Sequence, residues 1–145
     1  MFTSLLLPTD GSELSERAVL AGIDLARESG AAVIGLHVTP PFHMLTYRAD
    51  MLEDTAQQFA ERSERQARRI LDSVAEAAGA VGVRCSTEHI VADAPYEAII
   101  EAARRNVCDL IVMAAHGRRG LKGLLLGSET QKVLVHSSIP VLVFR

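Results

Sequence analysis

The sequence predicts an α/β fold: a single doubly wound domain built on a five-stranded parallel sheet of order 3-2-1-4-5, with helices on both faces. Three observations predict it. Short apolar runs alternate with longer stretches of helical period from one end of the chain to the other. Most of those runs are continuous rather than alternating, the pattern of strands covered on both faces. Each helical stretch lies between two runs, which makes successive strand–helix–strand units with right-handed crossovers. At 145 residues the chain accommodates one such domain, spanning 1–145, and a domain of that size buries roughly two-thirds of the surface its unfolded chain exposes.

The elements follow in order. Ser4-Leu5-Leu6-Leu7, ended by Pro8, reads as a buried strand. Thr9-Asp10-Gly11-Ser12 mixes turn and helix-capping residues. From Glu13 to Ser29 the period is helical, with Leu14, Ala18, Ala21 and Leu25 on one stripe and Gly30 as terminator. Ala32 to Val38 is a second strand, closed by Thr39-Pro40-Pro41, and Pro41 to Asp50 reads as a loop without period. A long helix is expected from Met51 to Ala78, stopped by Gly79 and Gly82. Val83, Cys85, Thr87, His89 and Val91 alternate with polar residues, so the third strand belongs at an edge. Asp93 is the expected N-cap of a helix with Pro95 in its first turn, running to Asn106. Asp109 to Ala114 is the most continuous apolar strand and hence central. A glycine-rich, basic loop from Ala115 to Gly127 leads into a helix from Ser128 to His136, and Ile139 to Phe144 forms the last strand.

Composition narrows the function classes. Apolar residues make up 48% and charged residues 23% of the chain, a globular balance that excludes a disordered one. A net charge of −3 gives no electrostatic reason to expect nucleic acid or an anionic membrane, and no apolar run has the length of a membrane span. The N-terminal residues lack a basic, cleavable leader, so a cytoplasmic location is expected. Cys85 and Cys108 follow no metal or disulfide spacing and read as small buried hydrophobes. His37 reads as a core histidine with a satisfied ring nitrogen, and His43, His89 and His136 show no mutual metal spacing.

Ligands of open parallel sheets bind at the carboxyl ends of the strands where the strand order reverses. Two loops of unusual composition fall there: Pro8-Thr9-Asp10-Gly11-Ser12, and Ala114 to Ser128 with its four glycines and three basic residues. Exposed N–H groups and a helix N-terminus at Ser128 suit a phosphate chain. The second loop matches neither a Walker A sequence nor a Rossmann fingerprint. Arg118, Arg119 and Lys122 fit phosphate contact or a solvated loop equally. Asp10 reads as a ligand residue or as an N-cap with Glu13 completing a capping box. Ser128 suits an N-cap, which uses the same geometry as phosphate binding.

The chain resembles the universal stress protein family over essentially its whole length. LLLPTDGSELSERAV resembles that family's first strand, acidic loop and helix, AVIGLHVTP its second strand, and DLIVMAAHGRRGLKGLLLGSETQKVLVHSSIPVLVF its C-terminal half. The nucleotide-binding branch carries Gly, two residues, Gly, nine residues, then Gly and Ser or Thr. Gly117, the nine residues from Arg118 to Leu126, and Gly127-Ser128 fit that spacing, while Ala114 stands in place of the first glycine. Alanine there costs little if the strand end is extended and more if it requires positive φ.

The resemblance implies ATP, with Mg²⁺, as ligand, and implies roles at matching positions. Asp10 would lie near the ribose or phosphates, with Pro8 and Thr9 lining the same turn. Val38 would offer backbone hydrogen bonds to adenine. Met113, Ala114, His116 and Gly117 would border the ribose and phosphates, and Gly127, Ser128, Glu129 and Thr130 would present N–H and hydroxyl groups to the triphosphate. No residue offers itself to orient water, so at most slow hydrolysis is expected, with a further protein partner as a source of stimulation. The apolar last strand would be an exposed edge, which pairing with a second copy covers; the resemblance implies the same homodimer. A nucleotide-loaded stress-response switch is the expected function, and the alternative is a dimeric interaction module of the same family that binds no nucleotide.

Overall fold

A computed structural model of the chain describes residues 1–42, 55–117 and 126–145. Its strands are β1 (Ser4–Pro8), β2 (Ala32–Thr39), β3 (Cys85–Val91), β4 (Leu110–Ala114) and β5 (Val141–Phe144). Its helices are α1 (Glu13–Ser29), α2 (Ala56–Ala80), α3 (Pro95–Arg105) and α4 (Ser128–His136). All strand pairs are parallel and the sheet order is β3-β2-β1-β4-β5, as the sequence predicts.

The period of two in β1 divides the core. Leu5 and Leu7 face α1 and α2, packing with Val19, Ile23, Val74 and Ala78. Leu6 points the other way, into Ile99 and Ala102 of α3 and Val133 of α4. All three leucines are completely buried, each contributing roughly 1.5–3 kcal/mol through removal from water. The central β1 thereby clamps both helical layers, and its neighbour β4 is buried along its whole length. From β1 the chain winds outward through β2 and β3, then crosses back to β4. The strand order therefore reverses between β1 and β4, and the carboxyl ends of those strands are where ligands of open parallel sheets bind.

Several local expectations shift. The buried face of α1 is Ser15, Ala18, Val19, Gly22, Ile23 and Ala26, so Ala18 alone is shared with the stripe of Leu14, Ala21 and Leu25. The helix is rotated so that Val19 and Ile23 pack into the core beside small residues, and Leu14 and Leu25 flank that face. Helix α2 begins at Ala56, where Thr55 and Gln58 form a reciprocal capping box; residues 51–54 of the expected helix lie outside the described residues. It continues through Gly79 to Ala80, and the chain turns at Gly82. Residues 43–50 of the expected loop lie outside the described residues.

Strand β3 is at the edge, as expected, but none of its residues is fully buried and its exposure does not alternate cleanly. Cys85 on it is only half-buried, whereas Cys108 is buried. Burial pushes the pKa of both thiols up, which keeps them poor nucleophiles. Asp93 is not the N-cap of α3; Ala94 is, with no side-chain cap of its own. The Tyr96 N–H is instead capped through space by the Glu129 carboxylate of α4, at 2.9 Å. Strand β5 starts at Val141 rather than Ile139, since the Ile139 N–H turns back to Ser137 Oγ.

Candidate functional site

The candidate site is built first by the end of β1. Pro8 closes the strand, and Thr9 extends it by one further ladder bond, its N–H donating to the Leu36 carbonyl at 2.8 Å. The Thr9 carbonyl accepts from His37 Nδ1 at 2.8 Å. A carbonyl cannot donate, so Nδ1 carries the proton. His37 is thus a satisfied buried residue, as its apolar strand suggested, and it ties the end of β2 to the loop after β1.

Asp10 then begins a tight turn in which Gly11 adopts φ 79°, a conformation that favours glycine. Asp10 is not the N-cap of α1. Ser12 is, accepting from the Ser15 N–H. The Asp10 carboxylate serves the turn itself: Oδ1 accepts from the Ser12 N–H and from Ser15 Oγ, each at 2.9 Å. This arrangement, an aspartate held by the backbone two residues on, keeps the carboxylate in the turn after β1 rather than at the N-cap of the helix.

The second wall comes from β4. Ala114 is the last residue of that strand, extended and paired with Phe144, and it lies outside the positive-φ residues. The alanine that replaces the motif glycine therefore carries no backbone strain. Ala115 donates its N–H to the Phe144 carbonyl at 2.7 Å, and its own carbonyl accepts from the Gly127 N–H at 2.6 Å. That second bond closes the loop and sets the N-terminus of α4 against the end of β4.

Both intact motif glycines are packed against protein. A Cβ on Gly117 would run into the Asp10 carboxylate, well inside contact distance of Oδ2. A Cβ on Gly127 would press on the backbone of His116 at 3.2 Å and on the Ala115 carbonyl at 3.4 Å. The glycines let the loops after β1 and β4 touch, and let α4 start directly behind them. Residues 118–125, including Arg118, Arg119 and Lys122, lie outside the described residues.

The remaining expected residues divide by what their side chains do. The side chains of Val38 and Met113 pack into the core cluster around Leu6, which leaves only their backbone groups for a ligand. His116 is half-buried beside Gly127. Gly127, not Ser128, is the N-cap of α4, and Ser128 is its exposed first residue. The Thr130 hydroxyl donates to the Ala114 carbonyl at 2.9 Å, and the Glu129 carboxylate is turned to Tyr96 and Lys132. Ser128, Glu129 and Thr130 form the first turn of α4, whose N–H groups carry partial positive charge. The side chains of Glu129 and Thr130 are engaged within the protein.

Ser15 also belongs to this region, and sequence patterning does not single it out. Its signal was a polar side chain at helical spacing from Ala18, Val19 and Gly22, but only the observed rotation of α1 identifies that face as buried. His89 pairs in register with His37 and donates or accepts at Thr39 Oγ1, 2.8 Å away. Burial, and then the neighbouring His37, pull its pKa below the ordinary histidine value. Among the described residues no group of three or more histidine, cysteine or acidic side chains is arranged around a metal position.

Comparisons with known proteins agree with this architecture. The model of the universal stress protein family matches residues 1–145. A universal stress protein of Thermus aquaticus is 33% identical over 145 residues, covering both chains completely. The solved structure of MJ0577, a universal stress protein of Methanocaldococcus jannaschii, superposes with a TM-score of 0.84 at 28% identity, covering 99% of this chain and 96% of that one. A universal stress protein solved in complex with cAMP gives a TM-score of 0.73 at 27% identity, over 99% and 97% of the two chains. This chain belongs to the universal stress protein family.

Proposed function

We propose that this protein is a nucleotide-dependent stress-response switch that binds ATP, with Mg²⁺, in the crevice between the ends of β1 and β4. The observation that carries the reading is the pair of close approaches, Gly117 on Asp10 and Gly127 on Ala115–His116. Together they present a carboxylate and a helix N-terminus to one space at the switch point of the sheet. Those groups are complementary to a nucleotide: the N–H groups of Ser128, Glu129 and Thr130 face the phosphates, and Asp10 serves a ribose hydroxyl or the cation. The ends of β2 and β4, at Val38 and Met113–Ala114, supply backbone groups for the base and ribose. The relative bound to cAMP supports an adenine nucleotide as the ligand class.

Bound Mg²⁺ would neutralise phosphate charge. The chain's own residues bind and orient, and we assign the protein at most slow hydrolysis. We further propose a homodimer through β5. That strand is a sheet edge, and Leu142 on it is 46% exposed, as are Leu134 and Val135 of the adjoining α4 to comparable or greater degree. An uncovered apolar edge invites strand pairing. No helix among the described residues is long and apolar enough to cross a membrane, and a cytoplasmic location is part of the proposal.

The test is to denature the purified protein, identify released nucleotide by chromatography, and titrate the stripped protein with ATP–Mg²⁺ by calorimetry. Co-purified adenine nucleotide, or saturable binding weakened by Asp10→Ala and by Gly127→Val, supports the switch. An empty protein with no heat of binding leaves the dimeric interaction module as the function.

A further inference from the structure

We propose that Ser15 is a positioning residue of this crevice, whose buried hydroxyl fixes the Asp10 carboxylate in the orientation that receives the ligand; the ligand's identity rests on the nucleotide reading above. The direction of the hydrogen bonds that link Thr9, Ser15 and Asp10 follows from their chemistry. A carboxylate only accepts, so Ser15 Oγ donates to Asp10 Oδ1 across 2.9 Å, sharing that hydrogen with the Ser12 carbonyl at 3.0 Å. With its hydrogen committed, Ser15 Oγ accepts from the Thr9 hydroxyl at 2.9 Å. Thr9 Oγ1 in turn accepts from the Gly11 N–H at 3.2 Å. The relay therefore runs Gly11, Thr9, Ser15, Asp10, and the Ser12 N–H closes it on the same Oδ1.

The consequence is geometric. One carboxylate oxygen holds two donors, one from a side chain and one from the main chain, so the carboxyl plane cannot rotate freely. The other oxygen, Oδ2, lies against Gly117 in the loop after β4. Ser15 is 4% exposed and Thr9 is 7% exposed, so bulk water has no easy route to replace either hydroxyl. Removing the Ser15 hydroxyl would take from the Thr9 hydroxyl the acceptor it uses and from Oδ1 its side-chain donor. A serine that merely bonded back to its own helix would need only the Ser12 carbonyl. The bonds to Thr9 and Asp10 reach outside the helix, into the loop that forms the crevice wall.

A double-mutant cycle separates the two roles. ATP–Mg²⁺ affinity is measured by calorimetry for the full chain, Ser15→Ala, Asp10→Ala and the double variant, with amide hydrogen exchange at Gly11 and Ser12 followed in the ligand-free proteins. Ser15→Ala is expected to weaken binding roughly tenfold, and the double variant to bind no more weakly than Asp10→Ala alone. Exchange at Gly11 and Ser12 is expected to accelerate in Ser15→Ala. Additive losses, or unchanged affinity in Ser15→Ala, would overturn the proposal. If the parent chain gives no heat with ATP–Mg²⁺, the nucleotide reading fails while exchange still decides the role of Ser15: acceleration supports it and unchanged protection overturns it. Thr9→Val, which keeps the side-chain shape but deletes the intermediate hydroxyl, runs the same cycle should Ser15→Ala fail to fold.

Discussion

Gly117 lies against the carboxylate of Asp10, so that the loop after the fourth strand meets the loop after the first with no room for a side chain between them. The contact joins the two halves of the sheet at the point where strand order reverses, and it makes one residue's lack of a Cβ a condition for the other's position.

Gly117→Ala is therefore expected to destabilise the protein by roughly 1–3 kcal/mol, the usual cost of an added group in a filled space. The added methyl meets Asp10 first, so Asp10→Ala in the same chain should recover much of that loss. Urea unfolding of both single variants and the double variant measures the coupling. Equal losses in the presence and absence of the aspartate side chain would show that the two loops do not touch in solution.

Acid sensitivity should depend on Asp109. Its carboxylate accepts from the Thr3 and Ser4 N–H groups and from Thr3 Oγ1. Burial alone would raise its pKa, but those hydrogen bonds outweigh it and hold the group below the ordinary 3.8. A depressed folded pKa stabilises the protein above the unfolded value and ceases to do so as pH falls through the folded value. The stability gap between the parent and Asp109→Asn should thus be constant near neutrality and shrink below about pH 4. Urea midpoints collected from pH 7 to pH 2.5 test this, and a gap independent of pH would contradict it.

Val107 should be replaceable with profit. It is the one described non-glycine residue with positive φ, at 54°, and it is 80% exposed. The Val107 and Cys108 N–H groups bond to the Arg104 and Ala103 carbonyls, a helix ending that ordinarily uses glycine. A left-handed valine costs about 1–2 kcal/mol, against which glycine's unfolded-state entropy offsets about 0.5–1 kcal/mol. Val107→Gly is expected to raise the thermal midpoint by about 2–4 °C, as read by calorimetry. A lowered midpoint would mean that the valine side chain makes a contact that outweighs its strain.

The edge at β5 makes its own prediction. A charged side chain on a free edge blocks strand pairing, so Leu142→Lys should convert a dimer to a monomer in sedimentation equilibrium while leaving the circular dichroism of the fold intact. A parent chain that sediments as a monomer would remove the homodimer from the proposal.

Much of the fold was legible because its signals are local. Continuous apolar runs such as Leu5–Leu7 and Leu110–Ala114 identify buried parallel strands without any knowledge of their neighbours. The break between period two and period 3.6 marks where each strand yields to a helix. Likewise Asp10-Gly11 and the spacing from Gly117 to Gly127 mark the two loops of the crevice, since turn chemistry is carried by adjacent residues.

What the sequence by itself determined, then, is the order of elements, the parallel sheet and the two loops that flank its switch point. Only the tertiary structure decided which face of α1 is buried, and hence that Ser15 lies beneath Asp10. It alone decided that Glu129 caps the Tyr96 N–H rather than facing the crevice, and that the motif glycines are required by Asp10 and His116. The physical reason is common to all three. Each depends on the rotation of a helix about its axis or on the approach of segments distant in the chain, and close packing fixes those to a fraction of an ångström, whereas local patterning fixes only which residues lie within one turn or one strand.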